Sequence, residues 1–264
     1  MAQMLDPHTT LADAVIGMVG SRWRVNYFTF LDEDIGFIYL AAPAVANVRT
    51  VGSLQKGVAQ VRGGVCNIYT LKNIFNRDDG NVANPKQIGF DVFNQMLQEE
   101  SVIKLAFVRD PVERFAAVYR NQFSINTKHG EQRRKVFEYL EMPLDENLSM
   151  LDLAELLTEE EGLKGLVPPL MPQRSLIAYD LLDYNFIGRH ERWNDDYANI
   201  SMEIFGCETP IFDPVADLNM DPEGANLPSN IDDETRAAVE AAYAEDCDMI
   251  AEIDELFPDG FAAE

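Results

Sequence analysis

Two long apolar runs, each followed directly by a turn and a helix start, constrain the fold of this chain more than any other feature. They cover residues 35–42 and 102–108, and almost every side chain in them is hydrophobic. Such runs are typical of strands that are buried on both faces of a parallel sheet. A helix is predicted over 90–100, so the order strand, helix, strand indicates an α/β unit. A third strand is predicted over 184–187, followed by a helix over 191–205.

The other predicted elements are helical. They cover residues 50–62, 111–123, 131–141, 150–160 and 232–256, with a proline-rich loop over 167–172. The last helix lies in a strongly acidic tail, since residues 208–264 hold 17 acidic side chains and one basic one. We therefore expect residues 1–205 to form one α/β domain. Residues 206–264 are expected to form an acidic linker and a helix that packs on the domain through its apolar face.

The charge of the chain excludes two classes of partner. With 45 acidic and 21 basic residues the formal net charge is −24, which repels nucleic acid phosphates and anionic membrane surfaces. One basic island interrupts this pattern, because residues 104–135 hold eight Lys or Arg side chains and three acidic ones. An anion site is expected there, with Arg109 as its phosphate contact. Arg114, Arg120 and residues 133–135 are expected to include solvated helix-face side chains.

Cysteine usage and hydropathy indicate the environment of the protein. Three widely spaced cysteines without clustered histidines predict buried, reduced thiols rather than disulfides or a zinc site. No run of about 20 apolar residues that could span a bilayer is present, and the N-terminal residues lack the pattern of a signal peptide. We expect a cytoplasmic protein that binds no metal.

The three predicted strands each end in a loop that opens a helix, and these loops are the expected binding site. In an open parallel sheet the carboxyl ends of the strands face one crevice in which ligands bind. Helix N-termini carry free N–H groups and a partial positive charge, which favour phosphate or sulfate. We therefore expect residues 43–50, 109–114 and 188–191 to meet around one anion. The alternative is that residues such as Asp110 and Pro111 only cap ordinary helices.

The sequence contains neither the GxxxxGK[ST] loop of common nucleotidases nor the GxGxxG turn of dinucleotide-binding proteins. Residues 107–123 instead read FVRDPVERFAAVYRNQF, directly after the second strand. This segment resembles the 3′-phosphate-binding segment of carbohydrate sulfotransferases, which use 3′-phosphoadenosine 5′-phosphosulfate (PAPS). Met171-Pro-Gln173, Gly188-Arg-His-Glu191 and Asp196 are similar to later segments of that family, in the same order.

The resemblance covers about residues 35–205. It implies a three-layer sandwich like that of P-loop NTPases, with a central, mostly parallel sheet, to which the acidic C-terminal helical extension is added. It also implies transfer of a sulfuryl group from PAPS to a hydroxyl acceptor of carbohydrate type, with adenosine 3′,5′-bisphosphate (PAP) as the product. The cofactor-binding residues that it implies are Pro43, Ala44, Val45, Ala46, Asn47, Val48, Arg49, Arg109, Ala117, Gly188 and Arg189.

Three site positions depart from the family pattern. Ala44 stands where the family has the lysine that stabilises the leaving oxygen, Ala117 where it has a serine, and Pro169 where it often has a histidine. Because Arg49 could reach a phosphate from the same loop, part of the lost charge could be replaced. An active sulfotransferase and a catalytically inactive protein that keeps the fold for binding or interaction both remain open. A phosphotransferase-like activity on the same fold is a third alternative.

An enzyme of this type needs a general base for the acceptor hydroxyl. His190 and Glu191, at the end of the third strand, are the candidate catalytic residues, although Glu191 could instead hold the loop by hydrogen bonding. His129 in the basic island is a second histidine candidate. Residues 73–84 and 124–130 are expected to form loops that select the acceptor. The acidic C-terminal helix could also bind a protein partner.

Overall fold

A computed structural model of the chain describes residues 9–66, 80–124, 130–214, 217, 231–258 and 260–261. Its helices are α1 (Leu11–Val19), α2 (Arg22–Phe28), α3 (Asn47–Val61), α4 (Pro85–Ile88), α5 (Phe90–Gln98), α6 (Pro111–Val118), α7 (Gly130–Tyr139), α8 (Met150–Glu159), α9 (Glu161–Leu166), α10 (Gln173–Leu176), α11 (Trp193–Phe205), α12 (Asp233–Ala242) and α13 (Ala244–Leu256). Its strands are β1 (Thr29–Asp32), β2 (Phe37–Leu40), β3 (Ile103–Val108) and β4 (Phe186–Arg189). Short turns of wider or tighter helix cover Tyr119–Phe123, Pro168–Leu170 and His190–Arg192.

Within the described residues the strands form one sheet in the order β1, β2, β3, β4. Strands β2, β3 and β4 are parallel, and β1 runs antiparallel to β2 along one edge. Nearly all strand residues are buried, so both faces of the sheet are covered. The prediction of an α/β fold with a mostly parallel sheet is confirmed. The three predicted strands are present, with ends shifted by about two residues.

The structure resolves one part of the chain that the sequence leaves open and corrects another. The aromatic run over 23–30, whose pattern fits either a helix or a strand, divides into α2 and the beginning of β1. The single helix predicted over 232–256 is two helices, α12 and α13. They part at Tyr243, whose backbone angles are not helical and whose hydroxyl donates to the Leu170 carbonyl at 2.8 Å.

The two C-terminal helices contribute apolar side chains to the core. Val239 of α12 and the following Tyr243 join a cluster that contains Phe115, with 6.0 Å between the Phe115 and Tyr243 ring centroids. Met249 and Ile253 of α13 join the core around the sheet. Burial of these side chains fixes α12 and α13 against the strands and helices that precede them.

The outer edge of β4 is covered by residues that follow α13. The Ile187 N–H donates to the Gly260 carbonyl at 2.7 Å. Phe186 forms a bridge with Phe261, and the centroids of their rings are 4.9 Å apart. Both edges of the parallel part of the sheet therefore have main-chain partners, β1 on one side and this C-terminal segment on the other.

The three cysteines lie within the described residues and are free, but they are half-buried, so the expectation that the thiols are buried is wrong. Among the described residues, no helix is long and apolar enough to cross a bilayer. In that same part of the chain, no three His, Cys, Asp or Glu side chains are grouped in a way that could hold a metal ion.

Candidate functional site

The turn after β2 and the start of α3 present main-chain donors. Ala44 and Ala46 have φ angles of 63° and 48°, in the left-handed region that residues with a side chain rarely adopt. Each such residue costs about 1–3 kcal/mol, and residues of this kind cluster at ligand-binding sites. Left-handed residues can turn neighbouring N–H groups toward one concave surface that suits an anion. No side chain caps α3, which begins at Asn47, so the N–H groups of its first turn add to this surface.

The loop after β3 places a cation opposite this turn. Arg109 is buried, and its Nη1 donates to the Ala44 carbonyl at 3.3 Å. A carboxylate oxygen of Glu113, one turn along α6, lies 3.9 Å from Nη2 of Arg109. Asp110 caps α6 by accepting from the Glu113 N–H at 2.9 Å. The main chain after Pro43 and the Arg109 guanidinium therefore lie against each other at the carboxyl ends of β2 and β3, the edge at which open parallel sheets have their binding crevice.

Arg109 is also held through its main chain. Oε1 of Gln173 accepts from the Arg109 N–H at 2.9 Å, and Nε2 of Gln173 donates to the Arg109 carbonyl at 2.8 Å. Both residues are buried, so these hydrogen bonds are shielded from water. The Met171-Pro-Gln173 segment of the sequence thus contributes a clamp on the loop after β3.

Arg114 is not among the solvated helix-face side chains expected in the basic island, whereas the side chains of Arg134 and Lys135 are exposed. Only 2% of the surface of Arg114 is exposed. Its Nε donates to the Pro43 carbonyl at 3.0 Å, and its Nη2 donates to the Pro169 carbonyl at 3.1 Å. Arg114 therefore joins the turn after β2 to the proline-rich loop before α10. Helical periodicity gives no sign of this, because it does not show which loops close over a helix.

The loop after β4 reaches the same crevice. Oε1 of Glu191 accepts from the Asp110 N–H at 2.9 Å. Burial acts to raise the pKa of Glu191, but the Asp110 N–H and the Arg189 guanidinium outweigh it, so this pKa lies below its ordinary value. Arg189 itself contacts Oε2 of Glu191 at 3.3 Å and Oδ1 of Asp254 in α13 at 2.6 Å. The carboxylate of Glu191 thus ties the loops after β3 and β4 together.

His190, in the same loop after β4, is a titratable side chain in an unusual environment. The side chain is half-buried, and its Nδ1 atom is buried without a hydrogen-bond partner among the described residues. Burial, followed by the nearby Arg109 cation, lowers the pKa of His190 to about 4. The imidazole is therefore neutral at pH 7 and available to accept a hydrogen bond or a proton. An anion bound near it would raise this pKa, because it would stabilise the imidazolium.

A second cation, Arg49, stands at the beginning of α3. Its guanidinium lies 4.1 Å from the centroid of the Trp193 ring, and its Nη2 donates to Oδ1 of Asn194 at 2.6 Å. The indole N–H of Trp193 in turn donates to the Thr50 hydroxyl at 2.8 Å. Arg49 also acts to lower the pKa of His190, so the positive charge of Arg49 acts on a residue of the crevice. Sequence reasoning missed Trp193, whose only signal is its position just after the Gly188-Arg-His-Glu191 segment.

Among the remaining predicted site residues only Asn47 has a side chain that could donate to a phosphate, since its Oδ1 accepts from the Tyr39 hydroxyl at 3.2 Å and its amide N–H groups are donors. Val45 and Ala117 are buried, and Val45 belongs to the hydrophobic core around the sheet. Gly188 lies inside β4, where a Cβ atom would come within 2.3 Å of the Phe107 ring, so close packing within the sheet requires glycine. His129 lies outside the described residues. The structure thus brings the three predicted loops together, while binding of an anion there stays a prediction.

The comparison with known families agrees with the geometry. A sequence model described as "Sulfotransferase family" matches residues 67–249, about two thirds of the chain. The match begins after the turn that follows β2, and it continues through α12 into α13, well past residue 205, where the resemblance was expected to end. No curated protein and no solved structure matches the chain. Because the family model spans more than half of the chain, including the loops after β3 and β4 and the proline-rich loop, the chain belongs to the sulfotransferase family.

Proposed function

We propose that this protein binds PAPS in the crevice and transfers its sulfuryl group to a hydroxyl acceptor. The observation that carries the proposal is the contact between Nη1 of Arg109 and the Ala44 carbonyl, at 3.3 Å. This contact places the Arg109 guanidinium of the loop after β3 against the strained turn after β2, which leads into the uncapped start of α3. A ligand with anionic groups at two ends, such as a nucleotide with a 3′-phosphate and a 5′-phosphosulfate, fits this arrangement.

The proposal includes the finer features of the fold. The covered faces of the sheet support a three-layer sandwich of the P-loop NTPase kind, with the acidic α12 and α13 as an extension that packs on it. The proposed acceptor is a carbohydrate. This part of the proposal is supported only by the resemblance of residues 107–123 to carbohydrate sulfotransferases.

Sulfuryl transfer places specific demands on the residues of the crevice. The bond between sulfur and the phosphate oxygen of PAPS breaks, a bond from the acceptor oxygen to sulfur forms, and the acceptor loses its proton. Negative charge develops on the departing phosphate oxygen, and preorganised donors there lower the barrier. The N–H groups at the start of α3 and the Arg49 guanidinium are the groups that this chain offers. Neutral His190 would take the acceptor proton.

A catalytically inactive binding protein is the second candidate. It is favoured by the absence of a side-chain donor at Ala44, Ala117 and Pro169, three positions where the resembled family has functional side chains. Loss of one catalytic donor typically lowers a rate by about 10²- to 10³-fold. Such a protein would still bind PAP through Arg109, but it would not turn PAPS over.

Calorimetric titration with PAP tests the proposal. We expect wild-type protein to bind PAP and Arg109→Ala to bind it about 10- to 100-fold more weakly, because a charge-assisted contact is lost. Arg134→Ala is the matched control, since this exposed arginine of α7 forms an ion pair with Glu138 at 2.8 Å on the same helix. No binding at millimolar PAP, or equal affinity of both variants, would contradict nucleotide binding in the crevice.

Release of PAP from PAPS then separates the two candidates. Turnover in the presence of sugar acceptors supports the enzyme, provided that it is lost in Arg109→Ala. Binding of PAP without any turnover, over a panel of sugar and other hydroxyl acceptors, supports the inactive protein.

A further inference from the structure

Helix α13 contributes one fully buried carboxylate to the contacts that hold the loops of the crevice. Asp246 is 0% exposed, and a carboxylate in such a place is costly unless it is hydrogen-bonded and paired. Its Oδ2 accepts from the Gln173 N–H at 2.9 Å, and its Oδ1 accepts from the Arg174 N–H at 2.9 Å. Both oxygens are therefore used, and both hold the main chain where α10 begins.

Gln173 carries this contact on to Arg109. Its side-chain amide both accepts from the Arg109 N–H and donates to the Arg109 carbonyl. Two opposed hydrogen bonds fix the peptide groups on either side of the Arg109 Cα atom, so the side chain leaves the loop from a fixed point. Asp246 fixes the main chain of Gln173, Gln173 fixes the main chain of Arg109, and all three residues are buried.

Arg114 connects the same carboxylate to the opposite wall of the crevice. Its Nη1 lies 4.0 Å from Oδ2 of Asp246. The other nitrogens of this guanidinium donate to the carbonyls of Pro43 and Pro169. Asp246 is thus linked both to Arg109 on one wall and to the turn after β2 on the other.

A gain in stability does not explain this arrangement. Burial raises the pKa of Asp246 and lowers that of Arg114, with each partner only opposing the shift of the other. Buried ion pairs can often be replaced by apolar residues of similar volume without loss of stability. The hydrogen bonds of Asp246 and Arg114, in contrast, go to main-chain atoms of loops that form the crevice.

We propose that Asp246 is a positioning residue of the nucleotide site. Acting through Gln173 and Arg114, it sets the separation between Arg109 and the turn after β2 to suit a 3′,5′-bisphosphate. The inference rests on the proposed function. The inference makes α13 part of the structure that positions the site, whereas the sequence suggests that α13 is an acidic extension that binds a protein partner.

Asp246→Asn tests the proposal, because it keeps the volume but presents an amide group to one of the two main-chain N–H donors. We expect about tenfold weaker PAP binding by calorimetry, which corresponds to one unsatisfied hydrogen bond. We also expect faster hydrogen exchange of the Arg109 amide in the free protein. Asp248→Asn, the same change at an exposed position of α13, should leave both measurements at their wild-type values.

Gln173→Glu is the second variant, for use if Asp246→Asn does not fold. It keeps an acceptor for the Arg109 N–H but replaces the donor to the Arg109 carbonyl with a second oxygen, so PAP binding should again weaken. If both variants fold, the double variant should lose less affinity than the sum of the single losses, because the two residues act along one path. Fully additive losses would contradict the path.

The possible results separate this inference from the proposed function. Wild-type PAP affinity and unchanged exchange at Arg109 in Asp246→Asn would overturn the positioning role, even if stability falls. If wild-type protein binds no PAP, the proposed function fails. The exchange measurement then tests by itself whether Asp246 positions the main chain of Arg109. Faster exchange at Arg109 in Asp246→Asn, but not in Asp248→Asn, would then still support the path.

Discussion

Two loops of the crevice offer different kinds of contact to an anion. The turn after β2, residues 43–46, has no basic side chain, and its donors are main-chain N–H groups. The loop after β3 supplies the side chain of Arg109, clamped by Gln173. The family match covers the second loop but not the first. Main-chain donors survive any substitution that keeps the backbone angles, whereas a side-chain donor is lost with its residue. A turn that binds phosphate through its main chain can therefore be kept while its side chains change.

The largest expected effect comes from Arg114, which joins the turn after β2 to the proline-rich loop. Arg114→Met should lower the free energy of unfolding by about 3–5 kcal/mol, because the buried Asp246 carboxylate loses its counter-charge and the Pro43 and Pro169 carbonyls lose their donor. Urea denaturation measures the change. Arg134→Met, which breaks an exposed pair with Glu138, should cost less than about 0.5 kcal/mol. Equal losses in the two variants would show that the loops are not joined through Arg114.

The next effect concerns His190, whose pKa is lowered by burial, by Arg109 of the loop after β3 and by Arg49 of the first turn of α3. Since its folded pKa of about 4 lies below its ordinary 6.5, the unfolded chain binds the extra proton between these values. Stability contributed by the neutral form is therefore lost as the pH falls from 6.5 through 4, by about 3 kcal/mol in all. His190→Asn should flatten this part of the stability profile. An NMR titration that gave His190 a pKa near 6.5 would contradict the prediction.

A smaller effect tests whether the first loop lacks only a charge. Ala44→Lys should raise the rate of PAP release from PAPS about tenfold, part of the benefit that one preorganised donor gives to a transition state. Ala44→Met is the matched control, because it adds similar length without charge and should leave the rate unchanged. No gain from lysine would indicate that the turn after β2 does not approach the departing oxygen.

The smallest expected effect tests the strain of the first loop. Ala46→Gly should stabilise the protein by about 0.5–1 kcal/mol, because glycine adopts the left-handed angles of this position without steric cost. Ala251→Gly, at an exposed position inside α13, should destabilise it by about 1 kcal/mol. Thermal unfolding distinguishes the two signs, and destabilisation by both variants would argue against a strained turn.

The sequence predicts the features whose signals are local. The apolar runs over 35–42 and 102–108 predict β2 and β3, and Asp110 followed by Pro111 predicts the start of α6. The position of these elements in a parallel sheet then predicts that the loops after β2 and β3 lie close together. Arg109 can be selected in the same way, because it directly follows a strand in a basic region.

Most of the missed features depend on contacts between distant parts of the chain. Asp246 and Gln173 are 73 residues apart in the sequence, and nothing near Asp246 distinguishes it from the other acidic residues of α13. The burial of Arg114 depends on where the carbonyls of Pro43 and Pro169 come to lie. The antiparallel strand β1 was hidden for a different reason, since its four residues are too short a run to choose between helix and strand.

The covered edge of β4 has a practical consequence for handling the protein. A chain shortened before Gly260 would leave the Ile187 amide without its acceptor and would uncover the Phe186 ring. Exposed strand edges recruit strands from other molecules. Such a truncation should increase aggregation, visible as light scattering, and fusion tags are therefore better attached ahead of α1 than behind Phe261.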